Sequence, residues 1–178
     1  GGRVLARAGA TPMVLGIGDA LPALERGVID AVEFVGPHDD LNLGLYRGAR
    51  YYYYPGWHEF GTNNEFTFNR KAYETLPADL RHALDYSATA VGALVLAEYE
   101  AKNALALRRL RTEFKDRVEI LAFPAPILKE LKRLAGEVLR EESEKSPMAR
   151  KVHASYAKFQ ALVQDWGQIS EGAYHKLP

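Results

Sequence analysis

The part of the sequence that decides the fold is the stretch TPMVLGIGDALPALERGVIDAVEFV, residues 11–35. Residues 11–15 form a short apolar run, which predicts a buried strand. A turn with two glycines follows, and then a predicted helix over 20–26 that Asp19 can cap. Residues 28–35 predict a second strand. The order strand, helix, strand is typical of a parallel α/β sheet.

Outside this stretch, the predicted secondary structure changes near residue 70. Before that point, residues 51–57 and 65–69 are rich in aromatic residues and predict two further strands. After it the chain is mainly helical. The stretch from about Leu76 to about Thr112 predicts a helix of about 30 residues, which would be about 45 Å long, well above the usual length. The remaining predicted elements are a helix over 3–8, a strand over 118–123 and helices over 127–144 and 146–166.

Composition limits the function classes. The chain has 178 residues, enough for one domain, and its Lys+Arg and Asp+Glu counts are both 23. This balance leaves no net field that would attract nucleic acid or an anionic membrane, so no nucleic-acid partner is expected. No cysteine is present, which excludes disulfides and thiolate chemistry. No apolar run approaches the roughly 20 residues of a spanning helix, and no signal peptide is visible at the start.

The densest polar group lies around the end of the second predicted strand: Asp30, Glu33, His38, Asp39 and Asp40. Carboxylates at the carboxyl end of a parallel strand lie where open α/β sheets bind ligands. With backbone carbonyls they suit hard cations. The alternative is that Asp39 and Asp40 cap the next helix while Glu33 is solvated. Residue types alone favour that alternative.

A second group combines the four tyrosines of 51–54 with Trp57, His58 and Glu59. Aromatic residues with one polar end suit a small-ligand pocket, and they equally suit a half-buried strand. His58 and Glu59 are adjacent, so in a strand they would face opposite ways and could not act together. The sequence contains no nucleophile elbow, phosphate loop or His-Glu-x-x-His pattern.

Two stretches together resemble the solute receptors of TRAP transporters. They are LPALERGVIDAVEFVGPHDD, residues 21–40, and YYYYPGWHE, residues 51–59. The likeness covers essentially the whole chain and is strongest to the branch that binds 2-oxo acids such as pyruvate, or lactate, beside a metal ion. It implies an α/β, type II periplasmic-binding-protein-like fold. Residues 1–35 would be the remainder of one lobe, and residues 36–178 would supply crossover strands, a long lobe-spanning helix and C-terminal helices.

The resemblance also implies a function and a site. The protein would be a periplasmic receptor, not an enzyme, that passes a small carboxylate to TRAP membrane permease subunits. Glu33 and the carbonyl of Phe34 would bind Na⁺ or Ca²⁺, and Phe34, Trp57, His58 and Glu59 would lie near the ligand. Some members exchange the C-terminal helix between subunits, which predicts a homodimer.

Two departures from the family pattern qualify this expectation. The arginine that binds the substrate carboxylate in relatives has no match here, nor does the N-terminal half that supplies a further metal ligand. Relatives also show Gly-Gly-Glu-Ile-Phe where this chain has GIGDAL, residues 16–21. We therefore expect weak binding by this chain alone, and self-association through surface that the missing half would cover.

Two other hypotheses remain open at this point. The first is an enzyme that acts on a small carboxylic acid with Glu33 or Glu59 as the base. The second is an interaction fragment that dimerises through an apolar stripe on its last helix. That stripe consists of Tyr156, Phe159, Leu162, Val163 and Trp166.

Overall fold

The computed structural model describes residues 1–57 and 65–177. The chain forms two compact units, one made of Gly1–Pro12 with Ala125–Pro178 and the other of Met13–Pro124. The second unit is therefore inserted into the sequence of the first. The expected lobes, divided at residue 35, concern the arrangement of a longer receptor and stay a prediction.

The described residues form eleven elements in chain order. They are α1 (Gly2–Arg7), α2 (Ile17–Glu25), α3 (Pro37–Asn42), a 3-10 turn (Leu45–Arg47), β1 (Tyr51–Tyr54), α4 (Arg70–Glu74), α5 (Ala78–Thr112), β2 (Glu119–Ala122), α6 (Ala125–Glu144), α7 (Pro147–Ile169) and α8 (Glu171–Tyr174).

The three long helices and β2 confirm the sequence predictions, because local signals set their ends. Pro77 precedes α5, where its fixed backbone angle suits a helix start. Pro147 is the first residue of α7, and the Ser146 hydroxyl accepts a hydrogen bond from the Ala149 N–H at 3.0 Å.

The core of the 13–124 unit forms where α2 packs on the 3-10 turn. Ala20, Leu24 and Leu45 are buried there together. Gly48 lies so close to this helix that an added Cβ would stand 2.8 Å from the Leu24 Cβ. The absence of a side chain at Gly48 is therefore required by space, which lets the turn approach α2 closely.

β1 and β2 pair in parallel, with Tyr51 opposite Glu119 and Tyr54 opposite Ala122. Hydrogen bonds from the Glu119 N–H to Arg50 and from the Phe123 N–H to Tyr54 extend the pairing by one residue at each end. The strands predicted over 51–57 and 118–123 are thereby confirmed, as Tyr51–Tyr54 and Glu119–Ala122, and their parallel pairing agrees with the expected α/β class. Since successive residues of a strand face opposite sides, Tyr52 and Tyr54 share one face of β1.

Three predicted strands are wrong. Residues 11–15, 28–35 and 65–69 are irregular and have no strand partner among the described residues. A strand is completed only by hydrogen bonds to a neighbouring strand, which its own sequence cannot supply. Most of their apolar side chains are exposed, Val14 completely, whereas Ile29 and Val32 are half-buried against the core of this unit. The helix between the first two segments is confirmed, as Ile17–Glu25.

The other unit is helical. α1 packs against α6, whose Leu131, Leu134 and Val138 are buried, and α6 packs against α7. Arg3 and Arg7 on α1 form ion pairs with Glu137, Glu141 and Glu142 on α6. No residue of α7 is buried, so its apolar stripe is open to solvent. In residues 1–57 and 65–177 no helix has both the length and the apolar character that crossing a membrane requires.

Candidate functional site

Glu33 and Phe34 lie in the irregular segment that leads from α2 into α3. Both are exposed, Phe34 to 39 %. α3 begins at Pro37, with Gly36 in the N-cap position and Asp39 and Asp40 in the first turn. Carboxylates in a first turn interact favourably with the helix dipole. The prediction that Asp39 and Asp40 cap this helix is wrong, because the N-cap residue is Gly36 and both carboxylates lie inside the first turn.

A hydrogen bond from β1 holds the Asp40 side chain in place. The Tyr52 hydroxyl donates a hydrogen bond of 2.6 Å to Oδ2 of Asp40, joining α3 to β1. Burial raises the pKa of Asp40 to about 6, although the bond from Tyr52 lowers it, and the charges of Asp39 and Glu33 raise it further. Burial and the bond to Asp40 also raise the pKa of Tyr52. The influence of Glu33 on Asp40 shows that the predicted cation ligand and the first turn of α3 share one negative region.

α3 is also held from α5. The His38 backbone N–H donates to Oδ1 of Asn103 at 3.0 Å. The ring of Tyr99, one helical turn before Asn103, meets the His38 ring edge-on at 6.3 Å. The charge of Asp39 and a hydrogen bond to it raise the pKa of Tyr99. The sequence analysis missed Tyr99 and Asn103, and their spacing of four residues was the available signal, because i and i+4 share a helix face.

The site has oxygen donors of the class that a hard cation prefers. Oδ2 of Asp39 and Oδ1 of Asp40 are buried without a hydrogen-bond partner, which makes the region short of positive charge and of donors. Yet the described part of the chain contains no group of three or more His, Cys, Asp or Glu side chains that could hold a metal ion. These side chains therefore fit a cation only as part of a coordination sphere, together with carbonyl oxygens such as that of Phe34.

The aromatic group is divided between two roles. Tyr52 turns towards Asp40, while Tyr53 stacks on Phe123 with ring centroids 4.9 Å apart. Trp57 follows β1 and is half-buried. His58 and Glu59 lie outside the described residues. The predicted ligand-binding roles of Phe34, Trp57, His58 and Glu59 therefore stay predictions.

Comparison with known proteins identifies the family of this chain. The family model described as bacterial extracellular solute-binding protein, family 7 (DctP), matches residues 1–146. The chain belongs to this family. The expectation of a receptor class, as opposed to an enzyme class with Glu33 or Glu59 as base, is confirmed at the level of the family, whose members are solute-binding proteins.

Individual relatives agree with this family assignment. A monocarboxylate 2-oxoacid-binding periplasmic protein of Nostoc sp. is 30 % identical over 177 residues, which are 99 % of this chain and 48 % of that protein. A TRAP periplasmic solute-binding protein of Colwellia psychrerythraea, solved with calcium and pyruvate, is 35 % identical with a TM-score of 0.92. The match covers 97 % of this chain and 52 % of that one.

A third relative, from Pseudoalteromonas atlantica, was solved with sodium and pyruvate. It is 34 % identical, with a TM-score of 0.93 over 99 % of this chain and 54 % of that one. The periplasmic-binding-protein fold class is thereby confirmed. This chain, a member of family 7, spans about half the length of these relatives.

Proposed function

We propose that this chain carries part of the ligand site of a periplasmic TRAP receptor for a small monocarboxylate. The ligand would be a 2-oxo acid such as pyruvate, or lactate, held beside Na⁺ or Ca²⁺ and passed to the membrane permease subunits. The observation that carries the proposal is the close structural match to two receptors solved with pyruvate and either calcium or sodium.

Glu33 and Phe34 supply the cation ligands of this chain in the proposal. Glu33 contributes a carboxylate and Phe34 its backbone carbonyl, both hard oxygen donors. The negative region of Asp39 and Asp40 adds a long-range attraction for the cation, since Asp40 already feels the charge of Glu33. Phe34, Trp57, His58 and Glu59 would line the carboxylate ligand.

Binding by this chain alone is expected to be weak. A carboxylate bound without the arginine of the family pattern loses a charge-assisted pair worth about 1.5–3 kcal/mol, a loss of about 10- to 150-fold in affinity. An open half-site also leaves the ligand in contact with water, which weakens each electrostatic interaction. Micromolar affinity of the 178-residue chain for pyruvate would contradict this part of the proposal.

Calorimetric titration of the chain with CaCl₂, at a fixed excess of pyruvate, tests the cation role. We expect binding near the millimolar range of extracellular calcium modules, about 10⁻⁴–10⁻³ M. Glu33→Gln should remove it, because the amide keeps the shape of the side chain and loses its charge. Asp116→Asn is the matched control, an exposed carboxylate in the turn after α5 and outside the candidate site. Equal Ca²⁺ binding by Glu33→Gln and the parent chain would refute the assignment.

The homodimer is proposed on separate evidence. α7 exposes one apolar stripe along its length, with Tyr156, Phe159, Leu162 and Trp166 each more than 60 % exposed. A stripe of this kind on a terminal helix matches itself when a second copy lies along it two-fold. Sedimentation at rising protein concentration tests the idea, and a monomer at all concentrations would contradict it.

A further inference from the structure

We propose that Asn103 on α5 is a positioning residue for the cation site. Its side-chain amide caps α3 from a different helix and so fixes the backbone that carries Glu33 and Phe34. The inference rests on the proposed function, since it concerns the same two ligands.

The first turn of α3 lacks a cap of its own. The N–H groups at the start of a helix need acceptors from outside the helix, usually the side chain of the N-cap residue. Here the N-cap is Gly36, which has no side chain, and Pro37 has no N–H. The His38 N–H finds its acceptor in Oδ1 of Asn103, which is 65 residues away along the chain. The cap therefore also decides where α3 begins relative to α5.

Gly36 shows how closely the two segments meet. A Cβ on Gly36 would stand 3.2 Å from Oδ1 and 3.4 Å from Nδ2 of Asn103. The backbone of Gly36 is extended, at φ 171°, a conformation that any residue adopts. A side chain at this position would press on the Asn103 amide, and glycine leaves that amide room to reach the His38 N–H.

The Asn103 cap lies close in sequence to the two proposed cation ligands, Glu33 and Phe34. Phe34 lies two residues before Gly36 and Glu33 lies three before it, in a segment without regular structure. The segment is anchored before Glu33 by Val32, which packs against the core, and after Phe34 by α3. Tyr99 meets His38 from α5, and Tyr52 holds Asp40 from β1, so α3 is fixed on two sides. The Asn103 bond and the Tyr99 contact both act at His38, which is nearer to Glu33 along the chain than Asp40 is, and the Asn103 bond is the one made to the backbone.

Substitutions at Asn103 test the proposal in the 178-residue chain, with Ca²⁺ titrated in the presence of pyruvate. We expect Asn103→Ala to weaken Ca²⁺ binding about tenfold, equal to about 1.4 kcal/mol. Asn103→Asp keeps an acceptor oxygen and should restore most of the affinity. Leu105→Ala is the matched control, because Leu105 is exposed and lies about 200° around the helix from Asn103. It should bind Ca²⁺ like the parent chain.

A substitution at Gly36 tests the same hydrogen bond between His38 and Asn103 from the α3 side. Gly36→Ala should displace the Asn103 amide and weaken Ca²⁺ binding about threefold, while adding nothing further in the Asn103→Ala background, because both changes break one contact. Hydrogen exchange of the 33–40 amides should rise in both variants, with the helix content unchanged by circular dichroism. This non-additivity separates a positioning role from general loss of stability, whose effects would add.

The outcomes distinguish the inference from the proposed function. If the parent chain binds Ca²⁺ and Glu33→Gln does not, the cation role stands. If Asn103→Ala then binds like Leu105→Ala, or the two effects add fully in the double variant, the inference alone is overturned. If Glu33→Gln binds like the parent, the proposed function fails and the inference fails with it.

Discussion

Asp40→Asn is expected to stabilise the 13–124 unit at neutral pH and to remove the part of its pH dependence that comes from this carboxylate. The Asp40 carboxylate is partly buried against Tyr52 and lies near the charges of Asp39 and Glu33. An asparagine keeps an oxygen that accepts the Tyr52 hydroxyl, and it has no charge to desolvate.

The size of the effect follows from the pKa of Asp40, which rises from 3.8 to about 6. About two pKa units correspond to about 3 kcal/mol, and the remaining contact with water reduces the expected value to about 2 kcal/mol. The folded chain holds this proton more tightly than the unfolded chain. Its contribution is therefore complete below about pH 4 and is lost as the pH rises through about 6. Asp40→Asn removes this loss.

The assay is urea unfolding between about pH 4 and pH 8, which spans the range in which the contribution of Asp40 changes. The chain has two tryptophans, one in each unit. In a Trp166→Phe background, the fluorescence of Trp57 reports the 13–124 unit. Asp116→Asn, an exposed carboxylate in the turn after α5, is the control and should follow the parent curve.

Parallel stability curves for the parent and Asp40→Asn would refute the reasoning. They would mean that Asp40 has the same proton affinity in the folded and unfolded chain, so that neither its burial nor the neighbouring carboxylates affect its charge.

Three further predictions concern packing, capping and association. Gly48→Ala should destabilise the 13–124 unit by about 1–3 kcal/mol in urea unfolding, because the new Cβ meets the Leu24 Cβ; an unchanged midpoint would contradict the close approach. Ser146→Ala should cost about 1 kcal/mol of stability in thermal unfolding followed by circular dichroism, since the Ala149 N–H loses its acceptor, and Ser146→Thr should retain most of it. Phe159→Asp should weaken self-association at least about tenfold in sedimentation without loss of helix, because Phe159 is 66 % exposed; unchanged association would exclude the α7 stripe.

Elements with local signals could be predicted from the sequence. Pro77 set the start of α5, and the Ser146-Pro147 pair set that of α7. The prolines after β2 set its end. In each case the deciding interaction lies within a few residues of the boundary, so a local pattern contains the information.

Elements that depend on distant partners could not be predicted. Residues 11–15 and 28–35 have the apolar character of strands, yet a strand also needs a neighbour in register, and none is present among the described residues. The candidate site could not be predicted for the same reason. Glu33 was one of several acids until the family likeness singled it out, and the bond from His38 to Asn103 joins residues 65 positions apart. The spacing of Tyr99 and Asn103 places both on one face of α5, but it does not indicate which segment of the chain meets that face.

The insertion of one unit into the sequence of the other has a consequence for biosynthesis. Residues 13–124 leave the ribosome before α6 and α7 exist, so this unit can complete its core while α1 still lacks its partner helix. The ion pairs between α1 and α6 can form only once most of the chain has been made. We therefore expect α1 to dock only after the 13–124 unit that follows it has been made. A nascent chain arrested near residue 124 should expose α1 to protease while α2 is already protected.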